Sequence, residues 1–170
     1  MPAAKHAKAV SPTRDVCAIV LAAGQGTRMR SSLVKVLHPL NGLPMVAHVL
    51  DLCRRIGVKR TLAVIGHQGE QMRATLADFP VEFVLQAEQR GTAHAVQQAE
   101  AALQGFEGDV LVINGDVPLL SEALVERLLA THRKLRADAT LVTTRPPNPS
   151  GYGRVLRDRR GAFRKIVEEV

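Results

Sequence analysis

Short apolar runs alternate along the chain with segments of helical spacing, and this alternation limits the fold more than any other feature. The apolar runs lie at 16–22, 61–66, 81–85, 109–113 and 139–144. Their centres are continuously apolar, as in strands that are covered on both faces. The segments between them that carry apolar residues three or four apart are 45–56, 69–79, 92–103 and 121–135. Strands that alternate with such helices predict βαβ units, and therefore an α/β fold with a mostly parallel sheet.

The residues at the ends of these segments support the helices. Pro44 precedes the segment 45–56 and Gly57 follows it, which is the asymmetry typical of a helix. Thr92 is an N-cap candidate for the segment 92–103. The clearest apolar stripe, in 121–135, comprises Leu124, Leu128, His132 and Leu135.

The C-terminal part of the chain has a different pattern. The segments 153–157 and 162–167 read as two short strands, and the polar turn 158–161 joins them. This predicts a β-hairpin. The chain then stops at Val170 without a cap or a turn. We therefore expect 15–170 to be one domain that is incomplete at its C-terminus.

The positive charge of the chain is concentrated near its two ends. The formal net charge is +7, and much of it comes from 1–14 and 154–165. Residues 1–14 are aperiodic and rich in alanine and lysine, which predicts a disordered tail. A basic chain can bind nucleic acid, but aromatic residues are only 3% of the composition and no nucleic-acid motif accompanies the charge. We expect no nucleic-acid partner, because a phosphate-rich small substrate accounts for the charge equally well.

The sequence favours a cytoplasmic protein without a membrane partner. No apolar run is long enough to span a bilayer, and the N-terminus lacks the apolar core of a secretory signal. Cys17 and Cys53 lie in apolar surroundings and do not have the spacing of metal ligands. Free buried thiols are typical of a reducing compartment.

The first predicted strand runs into a loop that carries glycines and cations. Gly24 and Gly26 have no Cβ and so allow the backbone to approach a ligand. Met29 occupies the third glycine position of a dinucleotide-binding fingerprint, and no Gly-Lys-Ser/Thr of a P-loop follows. The glycines alone leave phosphate binding and an ordinary strand-to-helix turn open. Arg28 and Lys35 favour phosphate, since a glycine loop at the carboxyl end of a strand can present them to an anion.

Two polar residues also follow predicted strands. Gln86 could offer a donor and an acceptor to a nucleobase edge, or it could be a solvated loop residue. Asp116 could hold Mg²⁺ against phosphate oxygens, or it could be the carboxylate of a turn or a helix cap. The residues by themselves leave both pairs of readings open.

Five motifs in order resemble a known family. They are LAAGQGTRM (21–29) followed by KVLH (35–38), LQAEQRGTAHA (85–95), NGDVPL (114–119), GYGR (151–154) and IVE (166–168). The first is similar to the signature of the sugar-phosphate nucleotidylyltransferases. Together they resemble the N-terminal uridylyltransferase (pyrophosphorylase) domain of the bifunctional N-acetylglucosamine-1-phosphate uridylyltransferases/glucosamine-1-phosphate acetyltransferases. The resemblance runs from about residue 16 to residue 170.

The resemblance implies a fold, a reaction and a set of site residues. The fold would be the Rossmann-like three-layer α/β/α fold of the nucleotide-diphospho-sugar transferases. The reaction would be UTP plus N-acetylglucosamine 1-phosphate giving UDP-N-acetylglucosamine and pyrophosphate, with Mg²⁺ as cofactor, for cell-wall peptidoglycan precursors. Arg28 would stabilise the departing pyrophosphate and Lys35 the α-phosphate. The implied UTP contacts are Leu21, Ala22, Ala23, Gly24, Gln86, Gly91 and Thr92; the implied substrate contacts are Asn114, Gly153 and Glu168; the implied metal ligand is Asp116.

The chain departs from the family pattern in three places. Val34 stands where many relatives have proline before the lysine, and Asn114 stands where an aromatic or another residue is common. The chain also ends before the segments that carry a second metal ligand, the rest of the sugar site and the left-handed β-helix acetyltransferase domain. We therefore expect no acetyl transfer, and the activity of these 170 residues alone stays open. The resemblance implies that full-length relatives are homotrimers. For this chain, a monomer stays open as an alternative.

Two other functions stay open and one is disfavoured. A related nucleotidylyltransferase could use another nucleoside triphosphate or sugar phosphate. The chain could instead be a non-catalytic nucleotide-binding module. A dehydrogenase is disfavoured because the third glycine is missing and the second predicted strand does not end in a ribose-binding acid.

Overall fold

The computed structural model describes residues 14–24, 26, 29, 31–66 and 68–168. The chain divides into two compact units, Met1–Leu129 and Ala130–Val170. Apart from Arg14, the predicted disordered tail at 1–14 lies outside the described residues. The assignment of 15–170 to one domain stays a prediction.

A parallel sheet forms the centre of the first unit. In chain order its strands are β1 (Val16–Ala22), β2 (Pro39–Leu40), β3 (Leu43–Pro44), β4 (Arg60–Ile65), β5 (Glu82–Leu85) and β6 (Asp109–Asn114). Four of them form a sheet in the order β5-β4-β1-β6, and every neighbouring pair in it is parallel. Strands β2 and β3 form a separate antiparallel ladder. The predicted α/β class with a mostly parallel sheet is confirmed.

Helices lie on both faces of this sheet. They are α1 (Met45–Arg55), α2 (Gly69–Thr75), α3 (Thr92–Gln97) and α4 (Glu122–Leu135), and short 3₁₀ turns lie at Lys35–Leu37 and Ala101–Leu103. Residues of α1 and α2, with Val125 of α4, pack in one core with one face of the sheet, whereas α3 packs in a second core with the other face. This is the predicted three-layer arrangement. In the described part of the chain, no helix is long and apolar enough to cross a membrane.

The central strands are buried on both sides because both helical layers cover them. In β1, Ala18 and Val20 belong to the core beneath α1, while Cys17 and Ile19 belong to the core beneath α3. All four side chains are fully buried. A strand in this position needs apolar residues at successive positions rather than in alternation. That need explains the continuous run VCAIVLA.

The two edge strands are less covered than the sequence predicts. In β6 the odd-numbered residues are buried, whereas Val110 and Val112 are 45% and 43% exposed. Strand β5 is held to β4 partly by a bidentate ion pair, in which Arg60 Nε and Nη2 donate to the Glu82 carboxylate at 2.6 and 2.7 Å. The hydrogen bond from Arg60 holds the pKa of the Glu82 carboxyl below its usual range. The prediction that all strands are covered on both faces is wrong at these edges. Among the described residues, the core beneath α3 includes no residue of β6, so that face of β6 stays exposed, and both ends of β5 are exposed.

Helix α1 ends as its sequence predicts. Gly57 adopts φ +76°, a conformation that glycine reaches without the cost of a Cβ. Its N–H donates to the carbonyl of Arg54, and the N–H of Val58 donates to the carbonyl of Cys53. These two bonds make a Schellman motif, which satisfies carbonyls at the end of the helix.

Two predicted helices are shorter than expected. The segment 69–79 is helical only over α2, because the chain turns at Leu76 and Phe79 ahead of Pro80, which disfavours helical geometry in the residue before it. The segment 92–103 divides into α3 and the 3₁₀ turn Ala101–Leu103. Thr92 is not the N-cap: Gly91 takes that position with φ 95°, and no side chain caps the helix.

The second unit contains the predicted hairpin and lacks one predicted strand. Strands β7 (Arg154–Arg157) and β8 (Phe163–Val167) pair antiparallel, which confirms the hairpin. The segment 139–144 is not a strand. A strand requires a ladder of backbone hydrogen bonds to a neighbour. Within the described residues this segment pairs with none, and Leu141 and Val142 are each 53% exposed.

Candidate functional site

A cavity of about 790 Å³ opens where three strands of the parallel sheet end. Ala23 and Gly24 follow β1, Gln86 follows β5, and Asn114 is the last residue of β6. Since neighbouring parallel strands end at the same edge of a sheet, side chains that are far apart in the sequence meet there. In open α/β sheets this edge is where ligands bind.

Most of the predicted site residues line this cavity. Both the predicted nucleotide contacts and the predicted metal ligand are among them. They are Leu21, Ala22, Ala23, Gly24, Lys35, Gln86, Gly91, Thr92, Asn114 and Asp116.

Three predicted site residues are not part of this set. Arg28 lies outside the described residues. Gly153 and Glu168 belong to the second unit and lie together, at the start of β7 and the end of β8. A Cβ added to Gly153 would lie 3.1 Å from Glu168 Oε2, so the carboxylate rests against the glycine backbone.

Lys35 and Asp116 form an ion pair at the cavity. Lys35 Nζ donates to Asp116 Oδ2 over 2.6 Å, and the two side chains are 41% and 31% exposed. The pair joins the loop after β1 to the loop after β6, across 81 residues of sequence. The first turn of α4 uses Ser121 Oγ as its acceptor, so Asp116 is not the helix-capping residue that the sequence left open. The cavity therefore presents a cation and a carboxylate side by side.

The position of Lys35 leaves no room for a side chain at residue 26, so this residue has to be glycine. Gly26 has φ +60°, and a Cβ added to it would lie 2.5 Å from Lys35 Cβ, closer than carbon atoms can approach. Gly24 is different, since no atom of the described residues lies within 4 Å of the position where its Cβ would be. The sequence predicted that both glycines allow a ligand to approach the backbone; the structure adds a packing reason for Gly26.

Gln86 is a buried residue held by three neighbours. It is 3% exposed, and its backbone N–H donates to Ile65 O over 2.8 Å. Its side-chain Nε2 donates to Gly91 O over 3.3 Å and lies 3.0 Å from His94 Nδ1. A buried amide with such partners has a defined orientation, so Gln86 is not the solvated loop residue that the sequence left as an alternative.

Ala23 is held in place from two sides. Gln89 Nε2 donates to Ala23 O over 2.6 Å, which ties the loop after β5 to the loop after β1. On another side, a Cβ added to Gly66 would lie 2.8 Å from the same oxygen, so the backbone after β4 packs directly on it. Ala22, Ala23, Gly24 and Gln89 also line a second cavity of about 360 Å³. The segment 22–24 therefore lines both cavities.

Several lining residues were missed by the sequence reasoning as site residues. They are Met29, Val36, Gln89 and Ala95. Ala95 could have been found, because it lies one helical turn after Thr92 on α3. Gln89 lies within a recognised motif and could have been found there. Met29 and Val36 carry no polar signal, so only the folded loop identifies them.

Asp116 is the carboxylate among the described residues that line the cavity. Among the described residues, no group of three or more histidine, cysteine, aspartate or glutamate side chains could hold a metal. Asp116 already binds one cationic group, the Lys35 ammonium. Carboxylate and amide oxygens are ligands that Mg²⁺ accepts, and Mg²⁺ commonly takes its remaining ligands from phosphates and water. The residues present therefore fit a metal that is shared with a phosphate ligand.

Comparison with known proteins places the chain in a family. The family described as MobA-like NTP transferase domain matches residues 18–166. The chain belongs to the MobA-like NTP transferase family. A nucleotide site is expected of such a domain, and the cavity at the strand ends is where this fold would form it.

Curated relatives agree with this assignment. The bifunctional protein GlmU of Synechococcus sp. (strain CC9311) is 52% identical over 150 residues, which is 88% of this chain and 33% of the relative. The bifunctional protein GlmU of Listeria monocytogenes serotype 4a is 51% identical over 151 residues, 89% of this chain and 33% of the relative. These matches confirm the resemblance predicted from the motifs. The chain spans about a third of the length of these relatives.

Solved structures share the fold of this MobA-like domain. A nucleotidyl transferase from Methanothermobacter thermautotroptrophicus superposes with a TM-score of 0.59 at 28% identity, covering 68% of this chain and 57% of that one. Rv0371c from Mycobacterium tuberculosis H37Rv superposes with a TM-score of 0.63 at 22% identity, covering 73% of this chain and 63% of that one. The second likeness concerns the fold alone.

Proposed function

We propose that this chain transfers a uridylyl group from UTP to N-acetylglucosamine 1-phosphate, and so releases pyrophosphate and forms UDP-N-acetylglucosamine. The observation that carries the proposal is the Lys35–Asp116 pair in a cavity at the strand ends, beside the predicted nucleotide contacts. The relatives that are about half identical to this chain support it. Such a product would serve cell-wall synthesis, and the two free buried cysteines suit a cytoplasmic location.

The reaction needs positioning and charge more than it needs a base. An oxygen of the sugar phosphate, already anionic at neutral pH, forms a bond to the α-phosphorus of UTP. The bond from that phosphorus to the bridging oxygen breaks, and pyrophosphate leaves with the electron pair. The obstacle is repulsion between two anions, so fixed positive charge at the α-phosphate accelerates the step. Lys35 supplies this charge in the proposal, and Arg28 stabilises the leaving pyrophosphate.

When a nucleotide binds, Lys35 can exchange its contact with Asp116 for one with a phosphate, or keep both, since an ammonium group has three N–H donors. The ion pair is partly exposed, and pairs of this kind contribute about 0–1 kcal/mol to stability. A triphosphate presents far more negative charge than one carboxylate, so the exchange is favourable once the nucleotide is bound. The pair thus keeps Lys35 next to the position where it is needed.

Asp116 would hold Mg²⁺ together with phosphate oxygens of the nucleotide. When bound, the metal neutralises negative charge on those oxygens. The relatedness of the fold to Rv0371c, which has been crystallised with manganese, is compatible with use of a divalent cation. Asn114, at the end of β6, lines the same cavity and would contact the sugar phosphate.

Replacing Lys35 tests the proposed chemistry. We expect Lys35→Ala to slow the chemical step by about 10²–10³-fold, the loss typical when a group that stabilises developing charge is removed. UTP affinity should fall much less, because other contacts hold the base and the ribose. Single-turnover pyrophosphate release and calorimetric UTP binding measure the two effects separately. Lys59→Ala, an exposed lysine on the same unit, is the matched control; equal single-turnover rates for Lys35→Ala and the parent would exclude this role.

The choice of substrate is tested in the same pyrophosphate assay. The assay compares UTP with dTTP and CTP, and N-acetylglucosamine 1-phosphate with glucose 1-phosphate. Preference for another pair would identify a related nucleotidylyltransferase. Binding of UTP with Mg²⁺ and no turnover above background would identify a nucleotide-binding module.

A further inference from the structure

His94 has no part in the proposed chemistry, yet it contacts the buried amide of Gln86, a residue that lines the 790 Å³ cavity. We propose that His94 is a positioning residue: it fixes the side-chain amide of Gln86 so that the amide oxygen meets the nucleobase, which makes the cavity select uracil over cytosine. The inference rests on the proposed function, because it takes Gln86 as the residue that reads the base.

The orientation of the Gln86 amide follows from its two partners. A carbonyl oxygen can only accept, so the atom that faces Gly91 O at 3.3 Å must be the amide nitrogen. The same nitrogen lies 3.0 Å from His94 Nδ1, which must then be the acceptor. With the nitrogen engaged twice, the oxygen is the polar atom of this side chain that is left to meet a ligand.

The contact at the other ring nitrogen, His94 Nε2, decides whether Nδ1 can accept from Gln86. Gln98 Nε2 lies 3.2 Å from His94 Nε2 and 3.3 Å from His94 O. A neutral imidazole carries one proton, so it cannot accept from both glutamines. One of the two amides must turn its oxygen towards the ring.

Burial identifies the amide that turns. Gln86 is 3% exposed, so a bond it loses inside the protein is not replaced by water. Gln98, which follows the last residue of α3, is only half-buried, so water can replace the hydrogen bond that it gives up. Gln98 therefore turns and accepts from His94 Nε2–H, and the imidazole keeps Nδ1 as the acceptor for Gln86.

The fixed amide oxygen distinguishes two pyrimidines that otherwise have the same size. Uracil carries a proton on N3 and can donate it to the oxygen. Cytosine has a lone pair on N3, which the oxygen would repel. A site that is built for one hydrogen-bonding pattern discriminates strongly against an analogue that leaves its buried polar groups unpaired.

The test measures the ratio of the dissociation constants for CTP and UTP, each with Mg²⁺, by calorimetry on the full chain. His94→Leu removes the acceptor, so the amide can rotate and the ratio should fall by about tenfold, the effect of about one hydrogen bond. His94→Asn places an amide oxygen near the position of Nδ1 and should restore the ratio. His94→Phe, a ring without nitrogen, should behave like His94→Leu, and it replaces that variant if His94→Leu does not fold.

The possible outcomes separate this inference from the function on which it rests. A parent protein that binds UTP no better than CTP overturns the proposed uridylyl transfer. A parent that prefers UTP, with the same ratio in His94→Leu or His94→Phe, overturns the positioning role of His94. Equal weakening of both nucleotides also overturns it, because a merely structural role would produce that result.

Discussion

Gly24 and Gly26 lie two residues apart in the loop after β1, and they serve different purposes. A Cβ at Gly26 would collide with Lys35, so this glycine is needed for the protein's own packing. In the part of the loop that the structure describes, a Cβ at Gly24 would meet no atom within 4 Å, although Gly24 lines both cavities. The space above Gly24 is therefore free for a ligand, and the two glycines should respond differently to substitution.

Gly24→Ala should weaken nucleotide binding and leave stability unchanged. The added methyl group meets no atom of the residues that the structure describes, but it takes up space in the cavity. We expect UTP affinity to fall at least about tenfold, since a clash of one methyl group costs on the order of 1–3 kcal/mol. The free energy of unfolding from denaturant titration should agree with the parent within about 0.5 kcal/mol.

Gly105→Ala is the matched control with the opposite expectation. Gly105 has φ +76°, where an alanine is strained by about 1–2 kcal/mol. Gly105 is not among the lining residues of the 790 Å³ cavity. This variant should be less stable and still bind UTP normally. A Gly24→Ala protein that binds UTP as tightly as the parent would show that the ligand does not use this space.

Among the elements, the contact between the ends of β1 and β4 decides the shape of the cavity. Gly66 follows β4, and its missing Cβ makes room for the carbonyl of Ala23. Gly66→Ala should push the Ala23 backbone and so reduce both stability and UTP affinity; overpacking of this kind costs about 1–3 kcal/mol. Thermal unfolding and calorimetry measure the two effects.

Gly69→Ala tests the same change where the neighbour can move. A Cβ at Gly69 would meet Ile65 Cδ1 at 2.9 Å, the flexible end of a side chain. Gly69 begins α2, where alanine gains about 0.5–1 kcal/mol of helix stability over glycine. We therefore expect Gly69→Ala to change stability and UTP affinity little. If both variants behaved alike, the close approach of Gly66 to Ala23 would not shape the site.

The packing of α1 on the sheet makes the stability of the protein depend on pH in the alkaline range. Burial raises the pKa of the Cys53 thiol from 9.0 to about 11. In the unfolded chain the thiol ionises near its ordinary value, so between pH 9 and 11 the folded state holds a proton that the unfolded state has lost. The contribution of the protonated Cys53 thiol to stability is complete below about pH 9 and is lost as pH rises to about 11. The free energy of unfolding falls by about 2–3 kcal/mol over this range.

Cys53→Ala should remove this part of the alkaline dependence. The quantity to compare is the slope of unfolding free energy against pH, from urea titrations between pH 8 and 11, since the substitution also lowers stability at every pH. Burial raises the pKa of Cys17 too, so some slope should remain. An unchanged slope in Cys53→Ala would show that this thiol does not ionise as its burial predicts.

For the molecule as a whole, ligand binding should stabilise the fold. The cavity is lined by loops that follow β1, β5 and β6, so a nucleotide that contacts all three resists their separation. At about a hundred times its dissociation constant, a ligand of the folded state adds about 2.7 kcal/mol to the free energy of unfolding. Urea unfolding with and without UTP and Mg²⁺ measures this, and Gly24→Ala should show a smaller gain at the same concentration. No gain in the parent would contradict the proposed nucleotide site.

The sequence predicted the parallel sheet well because continuous apolar runs and capped helical segments are local signals. It failed at 139–144, where the composition is typical of a strand and no neighbour pairs with it in the described residues. It also overestimated the cover on β6, since the position of a strand in a sheet depends on the whole topology. The predicted nucleotide contacts came from motifs, and their meeting in one cavity required the folded chain.

By itself, the sequence determined the alternation of strands and helices, the family and most of the residues that the proposed site uses. These properties depend on residue type and on spacing along the chain. The tertiary structure decided which atoms meet: Lys35 with Asp116, Gly26 with Lys35, and Gln86 with His94. The physical reason is that the partners in the first pair come from loops after different strands, and an ion pair or a steric contact acts only over a few ångströms. Such distances are set when the sheet brings its strand ends to one edge.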